Sequence, residues 1–152
     1  MRIISSIEEA LDAVGQDFGA SEWVTVDQDR IEAFADATGD HQWIHVDVER
    51  ARTESPYRST IAHGFLTLSL IPGLSKANYR VDNAKMGINY GLNKVRLLAP
   101  VPAGSRVRVR SELIDAAKVD DSTVDLTVRH TVELDGSAKP AAVAELIARM
   151  VF

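Results

Sequence analysis

The sequence predicts an α+β domain in which short helices precede an antiparallel β-sheet. The first observation is length, because 152 residues are the usual size of one domain, so residues 1–152 are interpreted as a single unit. The second is a change of period: apolar residues recur with helical spacing in the first half and alternate with polar residues in the second. The third is the Pro, Gly and Asp residues that mark short turns between the strand segments.

The composition narrows the possible classes of function without selecting one. Hydrophobic residues make up 45% of the chain and charged residues 26%, as in ordinary globular proteins. The net charge of -5, with no block of like charge, argues against nucleic acid as a partner. Cysteine is absent, which excludes disulfides, thiolate metal sites and a cysteine nucleophile. We find neither a signal peptide nor an apolar run of roughly 20 residues that would span a bilayer, and expect a cytoplasmic protein without membrane contact.

Two amphipathic helices open the chain. Ser6 followed by Glu9 is a capping box, and the apolar residues after it share one face until Gly15 ends the helix. A second helix has an apolar face over residues 31–38 and ends at Gly39, where a left-handed residue is favoured. The candidate caps of this helix are Thr25 acting with Gln28, or Asp27 alone.

The middle of the chain has no sustained period between residues 40 and 62. We predict a long, ordered and partly helical loop there, of the kind that usually carries function. Residues 64–70 predict a helix with apolar side chains nearly all round it, which is typical of a helix wrapped by other structure. Pro72 either ends this helix or kinks it.

Alternating apolar and polar residues predict strands in the second half. The alternating apolar positions are Val107, Val109 and Leu113, followed by Val124, Leu126, Val128, Val132 and Leu134. Residues 141–151 are apolar enough for a central strand, and residues 89–96 have the polar alternation of a strand's solvent face. Asp120-Asp121 and Asp135-Gly136 are predicted hairpin turns.

The residues with chemical potential are concentrated in two segments. The first is Phe34-Ala-Asp-Ala-Thr-Gly-Asp40-His-Gln-Trp-Ile-His45 and the second is Ile61-Ala-His63-Gly64. On a continuous helix, residues 40 and 45 would lie about 140° apart and would not act on one molecule. Gly39 lets the chain turn just before Asp40, so that a carboxylate and an imidazole can converge on one water molecule.

The first segment resembles the hydratase signature of MaoC-like proteins. In that signature an aromatic residue leads through Gly-Asp to a His five positions after the Asp, and a small residue follows. The matching residues are Phe34, Gly39, Asp40, His45 and Ala51. Gln42-Trp43 stands where the family commonly has Asn-Pro and resembles the NodN-like branch. The similarity extends from about Trp23 to the end of the chain and includes His63-Gly64 and residues 99–104.

The resemblance implies a hot-dog fold, in which an antiparallel sheet wraps around a central helix, and a homodimer with sites near its interface. It implies an (R)-specific enoyl-CoA hydratase that reversibly adds water to trans-2-enoyl-CoA to give (R)-3-hydroxyacyl-CoA. No metal is implied, and no cofactor beyond the coenzyme A of the substrate. The alternatives are an acyl-CoA thioesterase, a non-catalytic acyl-thioester-binding or partner subunit, and a dehydratase that acts on carrier-protein-bound acyl chains.

Hydration of a conjugated thioester needs groups for two proton transfers and donors for the oxyanion. Asp40 and His45 are the expected acid/base pair, in an order that the sequence leaves open. The amide of Gly64, at the start of a helix, is the expected oxyanion donor. His63 either caps that helix or shapes the pocket. Ser69 either lies near Asp40, as a Ser does in related hydratases, or bonds back to its own helix.

Other polar and aromatic residues have weaker roles. Trp43 either packs into the core or forms the floor of an acyl pocket, and we assign no chemistry to His41 or His130. Because the protein is acidic overall, local cations are needed to hold the phosphates of coenzyme A. The candidates for this contact are Lys94, Arg96 and Arg106.

Overall fold

A computed structural model describes residues 1–152 of the chain. The helices are α1 (Ile7–Asp12), α2 (Gln28–Thr38), α3 (Trp43–Val46), α4 (Val48–Glu54), α5 (Gly64–Ser69) and α6 (Ile71–Ser75). The strands are β1 (Arg2–Ile4), β2 (Asp17–Ala20), β3 (Val24–Val26), β4 (Tyr79–Val81), β5 (Met86–Leu97), β6 (Ser105–Lys118), β7 (Thr123–Leu134) and β8 (Ala142–Val151).

One antiparallel sheet dominates the fold. Its strand order is β2-β6-β7-β8-β5, and β3 also pairs with β6. The strands β6, β7 and β8 form the meander expected from alternation, and the turns between them contain the two Asp-rich segments that the sequence marked. Strand β8 lies between β7 and β5, as expected for a central strand. Strand β5 pairs only with β8, so its other edge is unpaired.

The core lies between the helices and the inner face of this sheet. Ile31 of α2 and Leu66 of α5 pack in one cluster with Val107, Val132 and other small apolar residues of the strands. A second cluster covers the other end of the sheet and contains α1. Its buried members include Ile7, Ala10, Leu113 and Leu126. The period of two along the strands therefore places alternate side chains in the core, as the sequence predicted.

The helix caps follow the local sequence. The Ser6 hydroxyl accepts a hydrogen bond from the Glu9 N–H, and the Glu9 carboxylate accepts one from the N–H of Ser5. The second helix is capped by Asp27, whose carboxylate accepts from the N–H of Arg30. The alternative cap, Thr25 with Gln28, is wrong. The second helix ends at Gly39 with a φ of 78°, in the left-handed conformation expected there.

The helix after His63 differs from the sequence expectation in its burial. Leu66 and Thr67 of α5 are buried, but Phe65 is 73% exposed and Ser69 is also exposed. The expectation of a helix wrapped on all sides is therefore wrong for the single chain, which covers only one side of α5. Pro72 kinks the helical segment and does not end it, because α6 continues from Ile71 with Pro72 in its first turn.

No helix of the structure is long and apolar enough to cross a membrane. The strand expected around residues 89–96 is present as part of β5, and most of its side chains are exposed.

Candidate active site

Two parts of the chain converge at the end of α2. Because α2 stops at Gly39, the backbone turns, and the short helix α3 then brings His45 back toward Asp40. His63, the residue before α5, joins them. One ligating atom from each of Asp40, His45 and His63 lies within 4.8 Å of the others. Asp40 is exposed, whereas His45 and His63 are 7% and 2% exposed, so the group has one open side.

The orientation of His45 is fixed by its neighbours. The His45 Nδ1 lies 2.6 Å from the carbonyl oxygen of Ile61. A carbonyl only accepts hydrogen bonds, so Nδ1 carries the proton in the neutral ring and Nε2 carries the lone pair. The Gln28 side-chain amide donates to the carbonyl of His45 at 2.9 Å, and the Thr60 hydroxyl donates to the Gln28 side-chain oxygen at 2.5 Å. The first residue of α2 therefore ties the motif to the segment before α5.

The carboxylate of Asp40 is less constrained. Its protein contact is with the N–H of Gln42, at 3.4 Å, and its side chain faces solvent. An ionised carboxylate only accepts hydrogen bonds, so Asp40 has free positions with which to hold a water molecule. The pair thus combines a free acceptor nitrogen on His45 with a free carboxylate on Asp40, and this combination can move protons to and from a bound molecule.

A cavity of about 290 Å³ opens beside the pair. It is lined by His45 and Gly64 together with Tyr57, Ile61, Ala62, Thr67, Leu97, Leu98, Ala99, Pro100, Val101 and Ala141. Most of this wall is apolar, which suits an acyl group, and only a few of the lining residues are polar. The residues 97–101 come from the end of β5 and the loop that follows, which corresponds to the Pro-containing segment that the sequence singled out.

Gly64 lies where the cavity wall passes closest to α5. Its N–H donates to no other backbone or side-chain group of the chain. A Cβ atom at this position would lie 2.3 Å from the Cδ1 atom of Leu97, so only glycine fits without a shift of Leu97. The free N–H and the bare Cα together give a bound carbonyl oxygen close access to the backbone.

The remaining expectations for site residues have mixed outcomes. The side chain of His63 does not cap α5, and its Nε2 atom instead donates to the carbonyl oxygen of Asp40 at 2.9 Å. The Ser69 hydroxyl donates to the carbonyl of Phe65 at 2.7 Å and does not line the cavity. Of the two alternatives for Ser69, the structure has the bond back to its own helix. The hydroxyl-bearing residues that line the cavity are Tyr57 and Thr67, and the Thr67 hydroxyl donates to the carbonyl of His63 at 3.4 Å.

Tyr57, Thr67 and Leu97 line the cavity, and sequence reasoning did not identify them as wall residues. These three side chains come from a loop, a helix and a strand, and nothing in the local pattern of any one segment points to the others. The apolar character of the segment from Ile61 onward was visible, but it is equally typical of core packing.

Among the weaker candidates, Trp43 is partly buried and lies under the guanidinium of Arg50, 4.2 Å from the ring centroid, away from the cavity wall. His41 is exposed, and its hydrogen bond with Asp36 raises the pKa of His41. Arg106 forms a two-nitrogen ion pair with Asp135 and is not free for a phosphate. Lys94 and Arg96 form no ion pair, so these two stay candidates for the phosphate contact.

The grouping of Asp40, His45 and His63 also meets the distance requirement for metal ligands. The Nε2–H of His63 donates to the carbonyl of Asp40, so a metal would have to bind the Nδ1 atom of His63, which has no hydrogen-bond partner. The absence of a metal from the active protein stays a prediction.

Comparison with known proteins gives one family model and several related sequences that match most of the chain. The family model described as "MaoC like domain" matches residues 9–134. The chain is 54% identical over 151 residues to "3-hydroxyacyl-thioester dehydratase Z" of Mycobacterium tuberculosis, covering 99% of both chains. It is 45% identical over 148 residues to "Nodulation protein N" of Rhizobium leguminosarum bv. viciae, covering 97% of this chain and 92% of the relative.

Solved structures share the fold. A protein from Archaeoglobus described as "Monoamine oxidase regulatory protein" superposes with a TM-score of 0.81 at 25% identity, covering 99% of this chain and 95% of the other. An (R)-hydratase from A. caviae superposes with a TM-score of 0.69 at 24% identity, covering 89% of this chain and 94% of the other. At that identity the second likeness concerns the fold, and it agrees with the sheet curled against α5.

Proposed function

The chain belongs to the MaoC-like dehydratase family, with its hot-dog fold, and we propose that it is an (R)-specific enoyl-CoA hydratase. As a member of this family it is a hydro-lyase of the hydratase and dehydratase type. The proposed reaction is the reversible addition of water to trans-2-enoyl-CoA, which gives (R)-3-hydroxyacyl-CoA. Asp40 and His45 are the proposed acid/base pair.

The observation that carries the proposal is the convergence of Asp40 with His45, which lines an apolar cavity. The Nε2 atom of His45 has the lone pair that can accept a proton from water, and the Asp40 carboxylate can hold the same water. The oxygen of that water bonds to the β carbon of the enoyl thioester, and the electron pair of the double bond moves toward the thioester oxygen. The pair then returns a proton to the α carbon.

The negative charge that builds on the thioester oxygen needs a donor. In the proposal this donor is the N–H of Gly64, which has no partner in the chain and borders the cavity. A fixed backbone donor stabilises charge without reorganisation at the moment of reaction, and loss of one such donor typically costs about 100- to 1,000-fold in kcat. Dehydration uses the same groups in the opposite order.

A homodimer is part of the proposal. Strand β5 has an unpaired edge, and Met86, Tyr90 and Leu92 along it are 51%, 57% and 51% exposed. Phe65, on the uncovered side of α5, is 73% exposed. Long apolar edge strands rarely stay bare in soluble proteins, and a two-fold pairing of β5 with its own copy would satisfy the edge. We propose that the same interface covers Phe65.

The first experiment follows the ultraviolet absorbance of the enoyl thioester with purified protein and crotonyl-CoA. We expect absorbance to fall without release of free thiol, and we expect Asp40→Asn and His45→Gln to lower kcat by about 100-fold or more. His41→Gln is the matched control, because His41 is exposed and bonds to Asp36 outside the pair. Folding of each variant is checked by circular dichroism.

Other outcomes distinguish the rivals. Release of thiol would indicate a thioesterase, and turnover of an enoyl chain on a carrier protein but not on coenzyme A would indicate a carrier-linked dehydratase. Binding of acyl-CoA without any turnover would indicate a binding or partner subunit. Full activity of both pair variants would reject the assignment of Asp40 and His45.

A further inference from the structure

His63 contacts both members of the catalytic pair, and we propose that it is a positioning residue that holds Asp40 in place relative to His45. This inference rests on the proposed function, because positioning matters only if the pair performs proton transfer. Three observations carry it: the hydrogen bond from His63 to Asp40, the stacking of His63 on His45, and the burial of the His63 ring.

The hydrogen bond acts on an otherwise loosely held residue. Asp40 follows the left-handed Gly39 and lies in a short segment without regular structure before α3. Its carboxylate contacts only the neighbouring N–H of Gln42. The bond from the His63 Nε2–H to the carbonyl of Asp40, at 2.9 Å, is the one hydrogen bond that ties Asp40 to a distant part of the chain. Loss of this bond therefore frees the backbone that carries the carboxylate.

The ring of His63 also restrains His45. The two imidazoles stack with centroids 3.8 Å apart and planes 25° apart. Phe34 of α2 contacts His63 at a centroid distance of 4.9 Å. The hydrogen bond to Ile61 fixes one atom of the His45 ring, and the stack fixes its plane, so Nε2 keeps one direction. Three residues that are far apart in the sequence thus form one packed unit.

His63 acts through the pair and not on the substrate. It is 2% exposed, and it is absent from the residues that line the cavity. Its Nε2–H is used by a carbonyl oxygen, and its buried Nδ1 has no hydrogen-bond partner. A ring that is buried and absent from the cavity wall is placed to act on the substrate through Asp40 and His45.

A pair of substitutions separates the two contacts of His63. His63→Gln keeps an N–H near the position of Nε2 and loses the ring, whereas His63→Phe keeps a ring and loses the N–H. We expect His63→Phe to lower kcat for crotonyl-CoA about 10- to 100-fold with KM within about threefold, since small misplacement of a catalytic group costs this much. We expect His63→Gln to retain at least about tenfold more kcat than His63→Phe.

Several results would overturn the inference. Equal kcat in the two variants would remove the role of the N–H, and unchanged kcat per folded molecule with a lower Tm would reduce His63 to a packing residue. A loss in both variants as large as that of Asp40→Asn would instead make His63 a direct participant. If His63→Phe does not fold, His63→Leu, which has neither ring nor donor, takes its place in the comparison. Equal kcat in His63→Gln and His63→Leu would then overturn the role of the N–H.

Nuclear magnetic resonance provides a readout that does not depend on turnover. Long-range proton–nitrogen spectra of the wild type are expected to show His63 protonated on Nε2 and His45 on Nδ1. A His63 ring protonated on Nδ1 would overturn the positioning role even in an active hydratase. A wild type that turns over no enoyl thioester would reject the proposed function, and the spectra would still decide whether the hydrogen bond to Asp40 exists.

Discussion

Gly64 is a cavity-lining residue at which a single added atom would disturb the wall. A Cβ atom there would meet the Cδ1 atom of Leu97 at 2.3 Å, and Leu97 is itself part of the cavity wall. Because Cδ1 is the far end of a side chain, it can rotate away at modest cost in folding energy. Because Leu97 lines the cavity proposed for the acyl group, a shift of its side chain changes the shape of that cavity, and we expect the effect to fall on catalysis more than on stability.

We therefore expect Gly64→Ala to lower kcat/KM for crotonyl-CoA about tenfold or more while the Tm changes by only a few degrees. Gly73→Ala is the matched control: Gly73 lies in α6, and a Cβ atom there meets no other atom within 4 Å. Alanine at that helical position is expected to leave kcat/KM unchanged and to leave stability equal or slightly higher. Wild-type kinetics in Gly64→Ala would contradict the proposed close approach of the thioester to the backbone at Gly64.

At the scale of elements, the sequence predicted those features of helices and strands that depend on residues close together in the chain. The left-handed Gly39 and the period of two in β6 and β7 depend on residues close in sequence, and the structure confirms both. Of the two caps that the sequence allowed for α2, the structure has Asp27. The convergence of Asp40 with His45 was inferred from Gly39 and the family motif, and the two groups do lie together. The burial of α5 was not predictable in the same way, because it depends on which surfaces cover the helix.

The same limit applies to the wall of the cavity and to Ser69. Whether a helical hydroxyl faces a cavity depends on how α5 is rotated against the sheet, and the sequence places Thr67 and Ser69 only two residues apart. Rotation is decided by packing of Leu66 and its neighbours against strands more than 40 residues later in the chain. Long-range packing of this kind leaves no pattern within one segment.

Strand β5 has one unpaired edge in the single chain, and most of its side chains are exposed. We expect the protein to have twice the 16.6 kDa protomer mass in analytical ultracentrifugation, with β5 as the contact. Leu92→Lys, which places a charge on this exposed apolar strand, is expected to weaken the dimer at least about tenfold in Kd. Val119→Lys is the control, because Val119 is 47% exposed but lies in the turn between β6 and β7. If Leu92→Lys and Val119→Lys have the same mass in solution, β5 is not the dimer contact.

At the scale of the whole molecule, a series of hydrogen-bonded polar side chains is buried within the protein. Asn78, which precedes β4, donates to the Ser111 hydroxyl at 2.8 Å, and that hydroxyl lies 3.0 Å from the Nδ1 of His130. The Nε2 of His130 has no partner, and the residue is fully buried. Burial lowers the pKa of His130 from 6.5 to about 4, because a charged ring would lose its hydration.

This shift makes global stability depend on pH in a definite direction. The unfolded chain binds a proton at His130 below about pH 6.5, but the folded chain does so only near pH 4, so the free energy of unfolding falls as pH decreases between these values. We expect this one residue to remove about 2 kcal/mol between pH 7.5 and pH 5. Urea denaturation at the two pH values measures it. His130→Gln offers a side-chain amide to Ser111 without titrating there, and it should lose correspondingly less stability on acidification. An equal loss in the wild type and His130→Gln would assign the pH dependence to other groups.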